Sequence, residues 1–68
     1  LAINYGLDRV RFPSPVRVGS RVRAHSELLT VEAVAPNTLQ IKRKVTFEIE
    51  AADKPACVAE AIVRFVYA

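Results

Sequence analysis

The stretch Thr38-Leu39-Gln40-Ile41-Lys42-Arg43-Lys44-Val45-Thr46-Phe47-Glu48-Ile49-Glu50-Ala51 decides the fold. Leu39, Ile41, Val45, Phe47, Ile49 and Ala51 fall on one side of an extended chain, and Thr38, Gln40, Lys42, Lys44, Thr46, Glu48 and Glu50 on the other. Only Arg43 interrupts the apolar series. Successive strand side chains point to opposite faces, so this alternation describes a strand with one buried and one wet face, as in antiparallel sheets.

Turn chemistry brackets the stretch. Pro36-Asn37 precedes it as a tight turn, and further upstream the chain from Gly19 to about Ala35 reads as another strand. There Val22, Ala24, Ser26 and Leu28 share one face, with Arg21, Arg23, His25 and Glu27 opposite. After Leu28 the apolar set slips to Leu29, Val31 and Ala33. A one-residue slip turns every side chain over, so a bulge near Leu28–Leu29 is predicted, keeping the apolar face inward. Downstream, Asp53-Lys54 closes a hairpin and Pro55 suits the first residue of the next strand. From Ala56 to Tyr67, the residues Cys57, Ala59, Ala61, Val63, Phe65 and Tyr67 form an unbroken apolar face. Val58, Ile62 and Val66 share the other face with Glu60 and Arg64. The small Cys57, Ala59 and Ala61 would let a helix or a second sheet pack close, yet no segment has the periodicity of that helix.

At the other end, Leu1, Ile3, Tyr5 and Leu7 alternate as a first strand, with Gly6 marking a bulge or a close approach to the backbone. Arg9 to Phe12 extends it in shifted register until Pro13 and Pro15, which cannot donate to a ladder, end it in a rigid loop. The expected architecture is mainly β, a curved antiparallel meander of about four strands in one domain over residues 1–68. One apolar face has nothing in the chain to cover it, and such a face marks an interface.

Composition agrees. With 51% apolar residues the 68-residue chain is no disordered segment, but a lone core of this size is marginal and usually needs a disulfide, a metal or a partner. The single Cys57 allows no internal disulfide, and one Cys with one His makes no structural zinc set. Oligomerisation, as a dimer or higher, is therefore expected. No basic segment precedes a long apolar run, so neither a signal peptide nor a membrane partner is expected. A start at Leu1 with no Met anywhere reads as a piece of a longer polypeptide, and one unpaired cysteine fits a reducing, cytoplasmic setting.

Charge is uneven. Residues 1–26 carry five Arg against Asp8, a net of +4, while the remainder carries −1. Arg9, Arg11, Arg17, Arg21 and Arg23 could meet phosphates, with Tyr5 or Phe12 stacking on a base. They could equally be rim charge that discourages edge-to-edge pairing. His25 and Glu27, two apart on one strand face, are the only local acid–base pair, and they lack a pocket. Cys57 sits in an apolar series with no cation beside it and is expected to be an inert core residue. No Gly-rich phosphate loop, HExxH or GxSxG is present.

Two segments carry a family resemblance. Asn4-Tyr5-Gly6-Leu7-Asp8-Arg9-Val10-Arg11-Phe12-Pro13-Ser14-Pro15-Val16, with Val18-Gly19-Ser20-Arg21-Val22-Arg23, resembles the MaoC-like hydratase/dehydratase family. Asp53-Lys54-Pro55-Ala56-Cys57-Val58-Ala59-Glu60 is similar to the segment opening that family's last strand. The resemblance implies a hot-dog fold, in which a curved antiparallel sheet wraps a long helix, and (R)-specific hydration of trans-2-enoyl-CoA in fatty-acid metabolism. It also implies dimers in which two sheets become one. The family's catalytic Asp and His lie in an Asp-x-Asn-x-x-His motif ahead of that helix. The chain has no such motif, so it matches the C-terminal half only, a partial hot-dog fold lacking the central helix.

By that resemblance the catalytic residues within this chain are none, and the chain alone is expected to be inactive. Tyr5 and Gly6 would lie near the acyl tunnel, and Arg11 and Phe12 toward the CoA-bearing mouth, with an acyl-CoA thioester as ligand. No cofactor and no metal are expected. A non-catalytic self-associating or acyl-CoA-binding module is the alternative. A small basic β-barrel binding nucleic acid through Arg9 to Arg23 ranks last, because aromatic and basic residues interleave nowhere beyond Tyr5 and Phe12.

Overall fold

Four strands, β1 (Ala2–Arg11), β2 (Val22–Ala35), β3 (Thr38–Ile49) and β4 (Cys57–Val66), form one antiparallel sheet in the order β1-β4-β3-β2. The computed structural model describes residues 1–67, so the domain expected over residues 1–68 reaches one residue further. There is no helix among the described residues, as a partial hot-dog fold requires. The strands from β2 to β4 are a meander joined by two hairpins. β1 departs from the expected meander by pairing with β4 at the far side instead of with β2. The loop over residues 12–21 therefore crosses one end of the sheet. It must pass three strand spacings, roughly 14 Å, well within the reach of ten residues.

Register assigns the faces. Leu39, Ile41, Arg43, Val45 and Phe47 of β3 lie opposite Phe65, Val63, Ala61, Ala59 and Cys57 of β4, and the apolar side of β2 joins them through Val22, Ala24, Ser26, Leu28, Val31 and Ala33. The predicted bulge is present: Leu28 pairs with Arg43 and Thr30 with Lys42, leaving Leu29 extra. β1 carries two further irregularities, at Tyr5 and across Arg9–Val10. The first corrects the expected alternation. Ile3 pairs with Arg64 on the polar face and Leu7 with Ala61 on the apolar face, because the extra Tyr5 turns the strand over between them.

Backbone conformation places the turns. Asn37 has φ 56°, which asparagine tolerates, and Pro36 before it presets the bend, the pairing favoured in type II turns. β3 ends at Ile49 and not at the expected Ala51, because Ala51 itself adopts φ 62°. The amide of Ala52 donates to the Ile49 carbonyl at 3.2 Å to close that turn. The chain's two ends meet as well. Val66 donates to the Leu1 carbonyl at 2.9 Å, and the Leu1 amine returns a bond to the Val66 carbonyl at 3.1 Å.

The sheet is a single layer, and its apolar face is bare. Only Ala56 and Ala59 are buried among the described residues. The radius of gyration is 14.7 Å, against about 11 Å for a packed domain of this length. The accessible surface of 5290 Å² exceeds that of a folded monomer of this size by about 1,000 Å². That excess matches what one partner contributes to a standard protein interface. The isolated chain is accordingly expected to bind 8-anilinonaphthalene-1-sulfonate with a several-fold, blue-shifted rise in fluorescence. Fluorescence no higher than that of a packed domain would show that the face is covered within the chain.

Candidate functional site

The residues expected to contact substrate occupy β1 and its exit. Tyr5, the extra residue of the first irregularity, turns its ring to the polar face. The Arg64 guanidinium stands 3.7 Å from the ring centroid, and its Nε donates to Gln40 Oε1 at 2.9 Å. Arg64 thus ties β1 to β3 across β4. A cation over an exposed aromatic ring contributes about 0.5–1 kcal/mol, enough to bias the ring's orientation. Gly6 lies opposite Ile62, and a Cβ there would meet nothing within 4 Å. Its own chain neighbours aside, no described residue crowds the position a side chain would take there, so the close approach expected at Gly6 is absent.

Arg11 pairs with Val58 at the far end of β1, and Phe12 follows it, 77% exposed. From Tyr5 to Phe12 is seven strand residues, roughly 20 Å. The four residues therefore form no single pocket; they mark the two ends of one edge strand. A groove of ≈ 710 Å³ lies elsewhere, between the start of β2, the end of β3 and the turn before β4. Its lining mixes Arg21, Arg23 and Lys54 with Glu48, Glu50 and Asp53 and includes none of the four.

The basic edge is largely neutralised. Arg9 lies 3.9 Å from Glu60, Arg21 3.6 Å from Glu50, and Arg23 donates to Glu48 at 3.0 Å. Arg11 and Arg17 have no carboxylate partner among the described residues. His25 meets Glu48 across the strands and not its neighbour Glu27, which lies opposite Lys44. The hydrogen bond from Arg23 holds the Glu48 carboxyl below its ordinary value of 4.5; burial opposes this, and the bond and charge of His25 reinforce it. All three side chains are well exposed, so the cluster resembles a solvated ion network more than an acid–base pair. Cys57 is free and half-buried on the apolar face, opposite Phe47. No cluster with metal-ligand chemistry occurs among the described residues.

Lys42 was not singled out by sequence, and register shows its importance. Asp8 and Glu60 lie directly opposite each other on β1 and β4, a repulsive arrangement. Lys42 Nζ sits 3.2 Å from Asp8 and 3.7 Å from Glu60, with Lys42 and Glu60 only 28% and 18% exposed. One cation thereby relieves the repulsion between β1 and β4 and ties both to β3.

No family model matches the chain. It is 61% identical over 66 residues to 3-hydroxyacyl-thioester dehydratase Z of Mycobacterium tuberculosis (strain H37Rv), which covers 97% of this chain and 44% of that protein. The same figures hold for the protein of that name from Mycobacterium bovis. Nodulation protein N of Rhizobium meliloti is 46% identical over 67 residues, 96% of this chain and 42% of that protein. The chain therefore spans less than half the length of these relatives.

Two outcomes follow from the ion networks. Lys42→Met is expected to lower the unfolding free energy by about 1 kcal/mol in urea, and adding Asp8→Asn is expected to recover part of that loss. Unchanged stability in Lys42→Met would remove the bridging role. Because the folded-state pKa of Glu48 is depressed, its contribution is present above 4.5 and is lost as pH falls through the lower folded value. Glu48→Gln is therefore expected to flatten the acid limb of the stability curve below pH 4.5 and to leave its shape above that unchanged, as checked by urea midpoints against pH.

Proposed function

We propose that this chain is a member of the MaoC-like hydratase/dehydratase family and forms the C-terminal half of an enzyme that exchanges water with an acyl thioester. One observation carries the reading: 61% identity across 97% of the chain to a protein named as a 3-hydroxyacyl-thioester dehydratase. The reaction adds water across the C2–C3 double bond of a trans-2-enoyl thioester or, in reverse, eliminates it. A base must take a proton from water as oxygen bonds to C3, and an acid must deliver a proton to C2. No Asp-x-Asn-x-x-His motif is present in this sequence, so both groups come from the part of the enzyme outside it.

The contribution of this chain is positional. The Tyr5–Gly6 irregularity supplies a ring oriented by Arg64 and an uncrowded glycine next to it in the chain, which suits a wall of the acyl tunnel. Arg11, free of a carboxylate partner among the described residues, and the exposed Phe12 suit the mouth, where a guanidinium can pair with CoA phosphate. The separation of roughly 20 Å fits an extended thioester lying along one strand. The enzyme works in the cytoplasm as a homo-oligomer whose sheets join at the open edge of β1. No helix among the described residues is long and apolar enough to cross a membrane. Nucleic-acid binding is disfavoured, because three of the five arginines proposed for it are paired with carboxylates.

Hydration of crotonyl-CoA, followed at the enoyl-thioester absorbance, tests the reading. The chain alone is expected to show no turnover. Mixed with a separately produced N-terminal half of the mycobacterial dehydratase, it is expected to gain activity, and Arg11→Ala is expected to raise KM several-fold with kcat nearly unchanged. Robust turnover by the chain alone would overturn the proposal.

A further inference from the structure

Arg9 has φ 50° inside β1 and is the one left-handed residue within a strand among the described residues. Gly19, Asn37 and Ala51, which also have positive φ, all lie in turns. A left-handed backbone crowds Cβ against the following carbonyl, so glycine is the usual first residue of such a bulge. A side chain as large as arginine keeps this conformation only where its surroundings impose it. Here the guanidinium lies 3.9 Å from the Glu60 carboxylate on β4, which is 18% exposed and also faces Lys42.

The bulge decides where the next residues point. Asp8 pairs with Glu60 and Arg11 with Val58, so Arg9 and Val10 together fill one position, opposite Ala59. Were Arg9 extended like its neighbours, Val10 would take the place opposite Val58. Arg11 would then fall opposite Cys57, on the apolar face. The surplus residue instead sets Arg11 on the polar face, the side on which the Tyr5 ring meets Arg64. A thioester lying along β1 can reach Tyr5 and Arg11 together only if both present to one side of the strand.

We infer that Arg9 is a positioning residue for the thioester: its left-handed backbone, held over Glu60, turns Arg11 onto the face that carries Tyr5. The inference rests on the thioester site proposed above and adds the residue through which Arg11 reaches that site. It also accounts for an arginine where the backbone alone would favour glycine, since the side chain anchors the bulge to β4.

The test reads register and site separately. Cross-strand nuclear Overhauser contacts in the isotope-labelled 68-residue chain report the register. Crotonyl-CoA kinetics of the chain reassembled with the N-terminal half of the mycobacterial dehydratase report the site. Arg9→Gly, which takes the left-handed conformation freely, is expected to keep Arg11 opposite Val58 and to leave KM within about two-fold. Arg9→Val, whose branched side chain resists that conformation, is expected to bring Val10 opposite Val58 and to raise KM several-fold with kcat nearly unchanged. Deleting Val10 from the Arg9→Val chain removes the surplus residue, and is expected to return Arg11 to Val58 and restore KM. Adding Arg11→Ala to Arg9→Val is expected to raise KM no further, because both changes remove the same contact. An unshifted register in Arg9→Val, a shifted register with unchanged KM, or no recovery on deleting Val10 would overturn this inference alone. Absence of hydration by the reassembled unsubstituted chain would overturn the dehydratase reading and this inference with it.

Discussion

The ladder between β3 and β4 runs from Thr38↔Val66 to Phe47↔Cys57 without a register shift, and the other strands are fitted to it. In a pleated strand any inserted residue exchanges the faces, so an unbroken pair of central strands sets which side is apolar along the whole sheet. The outer strands reach agreement only by insertion. β2 needs its extra Leu29 to keep Val31 and Ala33 with Leu28, and β1 needs Tyr5 to bring Leu7 opposite Ala61. These bulges are the means by which outer strands of different pattern are matched to one fixed pair.

The two faces then meet their needs in opposite ways. The polar face is complete within the chain: Arg23 and His25 share Glu48, Lys42 separates Asp8 from Glu60, and Arg64 spans Gln40 and Tyr5. Each cross-strand pair there contributes a few tenths to about 1 kcal/mol. The apolar face receives nothing from the described residues, although burying it would supply the larger energy, about 25 cal/mol for each Å² removed from water. Stability and specificity are therefore divided: the described residues carry their own register but bury almost no core of their own.

Much of this was legible in the sequence because strand alternation survives without tertiary context. The four strands, the bulge at Leu28–Leu29, the Pro36-Asn37 turn and the uncovered face can all be read from period and turn chemistry. What could not be read depends on partners remote in sequence. Leu1, Ile3, Tyr5 and Leu7 alternate whether or not Tyr5 is inserted, and only pairing with β4 reveals that it is. His25 suggested Glu27 by proximity, while a diagonal contact from β2 to β3 gave it Glu48. Lys42 looked like any wet strand lysine until register set two carboxylates around it. Of the candidate site, the resemblance pointed to Tyr5, Gly6, Arg11 and Phe12, and the fold adds Arg64 as the group that orients Tyr5.

The pairing of β1 with β4 also orders events in time. Its contacts join Ala2 to Phe65 and Arg11 to Val58, whereas the hairpins from β2 to β4 close locally. Long-range pairings carry the larger loop-closure entropy and form late. During synthesis, β1 leaves the ribosome about 50 residues before its partner, an interval of roughly 3–10 s at ordinary elongation rates. Over that interval Tyr5 to Phe12 lack the β4 residues that fix their register, so among these four strands β1 is the last to be seated.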